Sequence, residues 1–291
     1  MWEHLQIELY KVFKRPRTYL SFAAITALIG VIQLGLLVDG KEYADFVMAD
    51  FANSFSVDGK ILNGYFICYV ILQLLLVHVP LLIAVIAADM ISGEANMGTL
   101  RILLTKPQSR TAIVMAKFIA SVIYTLLLLI WIAIMGLFLS MLIFGTDDLF
   151  LMKSSYVVIV KESDVFWRYA GAFCFAALAM VTVAALGFFL SFFAENSIGP
   201  IVATMSVIIV CTILSTMNIP LFNLIKPYLF TTHMITWKEF FDFRVNDANE
   251  AIIGSIQYPD KIIRSATVLA IHIVLFVGSA VWLFRKKDIL S

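Results

Sequence analysis

The residues able to do chemistry are few and widely spaced. The chain has four histidines and three cysteines among 291 residues. Cys68, Cys174 and Cys211 lie inside apolar runs, at spacings that are neither C-x-x-C nor zinc-like. They read as small apolar packing residues rather than ligands or disulfide partners. His78 stands two residues before Pro80 in an apolar stretch, with Gln73 shortly before it, and His272 lies in another. Polar or ionisable groups inside a membrane are functional candidates by default, so Gln73, His78 and His272 are candidates for lining a pathway. Isolated and without partnered carboxylates, the two histidines read first as neutral, hydrogen-bonded packing residues, with the pathway role as the alternative. There is no H-E-x-x-H, no pair of aspartates inside an apolar run and no Ser/His pairing, so neither a metal site nor a catalytic residue is expected. Gly93 and Gly98-Thr99 approach the phosphate-loop pattern G-xxxx-G-K-[ST]. The lysine is missing and no strand precedes it, so this chain is not expected to bind ATP.

The elements that must position these residues are membrane spans. The chain is 62% hydrophobic and 14% charged, against about a quarter charged in a soluble domain. The apolar residues gather into charge-poor runs long enough to cross a hydrocarbon core, which takes about 20 helical residues. Six such runs are read at 18–38, 64–88, 113–144, 167–193, 198–217 and 266–284. The expectation is an all-α integral membrane fold, because backbone groups in lipid must be paired within the segment. The third run carries only Lys117, near its start, and is long enough that it should tilt or project into water. The fifth runs on past Asn218 and Pro220 to Ile225. Proline should break it there, giving a short half-buried segment rather than a seventh crossing. The first run is read as a retained helix, since Val38-Asp39-Gly40-Lys41 is a poor cleavage site.

Lysine and arginine accumulate on the cytoplasmic side. Lys11, Lys14, Arg15 and Arg17, then Arg101, Lys106 and Arg110, then Arg285, Lys286 and Lys287 fall on one side if there are six spans. Asp39, Glu42, Asp45, Asp50 and Asp58, with Asp147, Asp148, Glu162 and Asp164, fall on the other. Both termini are therefore expected in the cytoplasm, with the protein in a cell membrane, the bacterial plasma membrane. The net charge of +1 comes with no basic block, so nucleic acid is not an expected partner.

Residues 1–17 precede the membrane domain of 18–291. Trp2, Leu5, Leu9, Val12, Phe13 and Pro16 recur at helical spacing, while Glu3, His4, Glu8, Lys11, Lys14 and Arg15 fill the other face. That pattern fits an amphipathic helix lying in the membrane interface, with Leu5, Leu9 and Phe13 also available to a cytoplasmic partner. The loop 89–112 has a Gly-bounded, acidic start. A compact stretch follows at Thr99–Thr105, ending at Pro107, in which Leu100, Leu103 and Leu104 share a helical face. Such a helix suits a docking knob. Glu94 opens the loop and is placed to meet a basic group on a partner; as an alternative it caps the short helix. Glu195-Asn196-Ser197 reads as a tight turn with a helix N-cap and a minor second contact. The outer loop 218–265 mixes Trp237, Phe240, Phe241 and Phe243 with Lys238, Glu239, Asp242 and Arg244, which suits the headgroup zone.

Ser92-Gly93-Glu94, Gly98-Thr99-Leu100, Leu103-Leu104-Thr105-Lys106-Pro107, Ser109-Arg110 and then Lys117 together resemble the signature of type-2 ATP-binding-cassette exporter permeases. The ending Phe284-Arg285-Lys286-Lys287-Asp288-Ile289 is also similar to that family's. Ala116 departs from the family, which commonly has glycine there. The resemblance implies that the loop is a coupling helix inserting into a separate ATPase, with Glu94, Gly98, Thr99, Leu100, Leu103, Leu104, Pro107 and Arg110 at that joint. It further implies that Leu5, Leu9, Phe13 and Glu195 form secondary contacts and that short re-entrant helices make an outer gate. The working unit would pair two permease chains, identical or homologous, in membrane lipid, with ATP and Mg held by the ATPases and no cofactor on this chain. The expected function is export of an unidentified, hydrophobic substrate, without catalysis by this chain. An ion-coupled carrier or channel is the alternative, opposed by the scarcity of charge within the spans. An intramembrane enzyme is the other.

Overall fold

The computed structural model describes residues 2–40, 42, 60–99, 109–152, 157–217, 219–246 and 252–286. The described residues are mostly helical. Helix α1 (Trp2–Lys14) turns at Arg15 into α2 (Pro16–Val38), which starts on a proline, where a missing N–H leaves nothing unpaired. Helix α3 (Gly64–Ala87) is capped by Asn63, whose Oδ1 accepts from the Phe66 amide at 3.0 Å. Pro80 lies within α3 without ending it. The chain then passes through Ala88 into α4 (Asp89–Asn96), which stops at Gly98 with φ of 69°, a conformation favouring glycine. Helix α5 (Arg110–Phe144) is capped by Ser109 and holds a π-helical turn at Ile134–Phe138.

An antiparallel hairpin follows, β1 (Leu149–Met152) with β2 (Val157–Val160), Leu149 facing Val160 and Met152 facing Val157. It is an addition to the all-α expectation. Next come α6 (Glu162–Leu190), closed by a 3-10 turn at Ser191–Phe193, and α7 (Ile198–Thr216). Short pieces follow: α8 (Pro220–Asn223), a 3-10 turn at Lys226–Tyr228, α9 (Phe230–Met234) and a 3-10 helix at Ile235–Phe241. Helix α10 (Pro259–Lys286) ends the described chain.

Among the described residues, six helices are long and apolar enough to cross a membrane: α2, α3, α5, α6 with its closing turn, α7 and α10. That composition is the mark of a multi-pass membrane protein. Several bounds differ from the sequence reading. The fourth helix begins at Glu162 rather than at 167, because Asp164 and Arg168 neutralise each other one turn apart (2.6 Å) and so do not end it. The sixth begins at Pro259, not 266. The third begins three residues early, at Arg110. The segment after α7 breaks as expected, and Pro220 starts a new short helix, but α8 buries none of its residues within the chain. The compact stretch expected at 99–105 lies, apart from Thr99, outside the described residues.

The core runs along α3, α5 and α6, whose inward residues include Ile71, Ile83, Tyr124, Leu128, Tyr169 and Phe188. Gly64 lets α3 cross α5 at backbone contact. A Cβ there would sit 2.5 Å from the Met141 nitrogen. Helix α2 buries few residues and is held by polar ties: Gln33 Nε2 donates to the Met135 carbonyl at 2.8 Å and to Ser140 Oγ at 2.9 Å, and Trp131 Nε1 donates to Thr26 Oγ1 at 2.9 Å. Met135 lies in the π-helical turn, where the regular backbone ladder is interrupted. The side-chain amide of Gln33 meets a carbonyl of that turn.

Candidate ion-pair joint at one end of the bundle

The loop root is built by α1, α4 and the first turns of α5. The sequence placed Glu8 and Lys11 on the solvent side of an amphipathic helix. The structure corrects this: Glu8 is buried with Leu5 and Val12, and Lys11 is half-buried. The cause is Lys117, a fully buried lysine on α5. Its ammonium lies 2.8 Å from Glu8 Oε2 and 2.7 Å from Glu94 Oε1. Lys11 lies 2.8 Å from Glu8 Oε1 and 2.7 Å from the same Glu94 oxygen. Two carboxylates and two ammoniums thus form a closed, neutral cluster joining three helices. Glu94 Oε2 is buried without a hydrogen-bond partner among the described residues.

Glu94 is therefore not held out toward a partner. It lies inside α4, and the short helix it was read as capping lies, apart from Thr99, outside the described residues. Burial works against its charge, but Lys117 and Lys11 more than offset this and hold its carboxyl below the usual carboxylate range. Burial likewise opposes the Lys11 charge, and its hydrogen bonds to Glu8 and Glu94 outweigh it, so the ammonium titrates above its ordinary value.

A second cluster sits beside the first. Asp89, at the start of α4, is buried and receives Arg15, Arg17 (2.9 Å) and Ser197 Oγ. Gly93 has no room for a side chain because the Asp89 carboxylate occupies that place. Asn196 Oδ1 accepts from the Gly199 amide at 2.9 Å, so the cap of α7 comes from Asn196 while Ser197 reaches Asp89. Glu195 in the same turn is exposed. Arg110 donates to the carbonyls of Phe284 and Arg285 at 3.4 and 3.2 Å, tying the start of α5 to the end of α10.

Among the other residues singled out from sequence, Leu5 is buried and Leu9 and Phe13 are half-buried. Thr99 Oγ1 donates to the Glu94 carbonyl at 3.3 Å. Leu100, Leu103, Leu104 and Pro107 lie outside the described residues. Gln73 accepts from Lys238 Nζ at 2.7 Å. His78 Nδ1 lies 3.0 Å from the Leu74 carbonyl and His272 Nδ1 2.8 Å from that of Val268, each on its own helix. Among the described residues no hydrogen bond joins these three. Trp237 and Phe241, read as interfacial, are buried in the bundle, with Tyr69 5.4 Å from each ring and Tyr169 4.9 Å from Phe241. Arg168 anchors that segment, donating to the carbonyls of Phe240 (2.7 Å) and Ser255 (2.8 Å) while paired to Asp164.

The sequence reading missed Glu8, Lys11, Asp89, Arg15 and Arg17 as site residues. A lone lysine within an apolar run, Lys117, was the signal for the first cluster. A charge there needs counter-charges, and α1 and the loop hold the acids that supply them.

The profile of a protein family described as protein of unknown function (DUF2705) matches residues 22–290. The chain is also similar to the uncharacterized protein YhcI of Bacillus subtilis (strain 168), 26% identical over 211 residues that cover 70% of this chain and 63% of the relative. The matched region thus spans less than two thirds of that relative's length. Because the profile takes in nearly the whole chain, all six apolar helices included or overlapped, the protein belongs to the DUF2705 family.

Proposed function

We propose that the chain is the membrane-spanning permease subunit of an ATP-binding-cassette exporter, working as a pair of permeases with two separate ATPase subunits. The observation that carries this reading is the neutral cluster of Glu8, Lys11, Glu94 and Lys117. It welds the root of the loop to α1 and to the third span. A push on the loop therefore passes to α5 without slack, which is what an energy-coupling element needs. In this reading the termini are cytoplasmic, α1 lies in the membrane interface, and Leu100, Leu103 and Leu104 enter a cleft on the ATPase. Thr99 follows the left-handed turn at Gly98. ATP binding draws the ATPases together, the loops follow, and the spans exchange inward for outward access. Such a shift requires that ATP bind one state more tightly than the other. Glu94 acts as a positioning residue within this chain.

The test uses tagged chain purified in mild detergent with its partner. The wild type is expected to retain a partner that hydrolyses ATP. Leu103→Asp should leave the chain inserted and monodisperse but lose both the partner and the hydrolysis. Retention of a coupled ATPase by Leu103→Asp would overturn the proposal.

A further inference from the structure

We infer that the joint between α1 and α2 is a binding site for the headgroup of an anionic phospholipid, and that the bound lipid acts on the Asp89 node. Three cations, Lys14, Arg15 and Arg17, fall within four residues of one another around Pro16. They sit where α2 begins. With 23 residues rising ~1.5 Å each, α2 spans about 34 Å, barely more than a ~30 Å hydrocarbon core. Arg17, its second residue, is thereby held at the level of the lipid headgroups.

Charge balance separates this joint from the neighbouring cluster. Glu8 and Glu94 answer Lys11 and Lys117 two for two. At Asp89 a single carboxylate receives two guanidiniums. One positive charge is left over, and Lys14 adds a second, its ammonium bonded to the neutral Tyr10 hydroxyl at 2.9 Å. The side chains of Arg17 and Arg15 are 41% and 26% exposed, so each has N–H groups open to a second acceptor. A guanidinium carries five donors in a fixed fork suited to phosphate. Tyr10, Tyr19 and Leu20 beside them are exposed apolar or amphipathic side chains, the type found at the edge of the hydrocarbon layer. The complement is a phosphate bearing a net negative charge and attached to acyl chains. A zwitterionic headgroup brings its own cation and does not balance the excess.

Arg17 would be shared between the lipid phosphate and Asp89. Lipid charge therefore sets how firmly Asp89 holds α2, α4 and the Ser197 turn together. This inference rests on the membrane reading of the six helices and is independent of the ATPase.

The experiment measures thermal unfolding and lipid retention of the purified full chain, in detergent supplemented with phosphatidylglycerol, phosphatidylcholine or inorganic phosphate. Phosphatidylglycerol should be retained and should raise the midpoint; the other two should not. A surface cation contributes roughly 1 kcal/mol to anionic-lipid attraction, so Lys14→Gln should weaken retention about fivefold. Lys14→Gln with Arg17→Gln should weaken it about 25-fold. Arg17→Lys, which keeps the charge, should retain most of the binding. Should the double variant misfold, Lys14→Gln alone decides, because Lys14 takes no part in the Asp89 node. Equal stabilisation by phosphatidylcholine, or by free phosphate, would overturn the inference. So would undiminished phosphatidylglycerol retention by Lys14→Gln. A patch that ignores all lipids yet is needed for partner retention would assign these cations to a protein surface instead.

Discussion

Replacing Lys117 by methionine keeps a long unbranched side chain and removes one charge from the cluster. Glu8 and Glu94, both buried, would then share Lys11 alone, and the joint would carry one uncompensated negative charge. Removing one partner from a buried ion pair costs about 3–5 kcal/mol, because the remaining charge stays desolvated. In a chain of this size that corresponds to a fall in melting midpoint on the order of 10 °C. Adding Glu94→Gln restores neutrality, leaving Glu8 with Lys11, and should return more than half of the loss. The signature is therefore a double variant more stable than the single Lys117→Met variant, read by thermal unfolding in detergent with size-exclusion chromatography as the folding check. Acidification gives an independent check. The Glu94 carboxyl titrates below its ordinary value of 4.5, so its contribution is full above that value and is lost as pH falls through the depressed one. Glu94→Gln should abolish that part of the acid sensitivity. A Lys117→Met chain that melts with the wild type, or a double variant whose losses simply add, would refute the reasoning.

The other expectations concern packing. Gln33→Leu removes the donor to the Met135 carbonyl and to Ser140 Oγ and should cost about 1–3 kcal/mol, measured as a lower melting midpoint. Gly64→Ala forces a methyl into the Met141 backbone and should cost at least the ~1–3 kcal/mol typical of overpacking. Gly30→Ala, where nothing lies within 4 Å, should be neutral or slightly stabilising in the same assay. Arg168→Met strands buried Asp164 and frees the carbonyls of Phe240 and Ser255. Limited proteolysis should then cut the segment between Phe241 and Pro259 faster than in the wild type.

The six apolar helices were legible in the sequence because lipid leaves the chain little choice. Where the sequence reading went astray, it sorted residues by polarity when burial had been decided by neutralisation. Glu8 and Lys11 looked like a wet face, and Asp164 looked like part of an outer loop. Glu8, Asp164 and Arg168 are buried, and Lys11 half-buried, beside their counter-charges, and for Glu8 one counter-charge lies 109 positions away. No local window contains such a pair. The hairpin was more accessible. Leu149–Met152 and Val157–Val160 are short apolar runs, the second rich in β-branched residues, set after a glycine and two aspartates, and that is a strand signal. The clamp of Gln33 on a π-helical turn had no sequence mark beyond a single amide within an apolar run.

That clamp also bears on the order in which the protein is made. Gln33 and Met135 are 102 residues apart, and ribosomes add about 5–20 residues per second. Helix α2 therefore enters the bilayer roughly 5–20 s before its acceptor on α5 exists. During that interval its side-chain amide has no partner from α5, and few of its other residues have anything to pack on. Helix α2, made before the other five, is thus among the last of them to be fixed in register. Agents that shield polar groups in nascent helices should act on this protein during that interval.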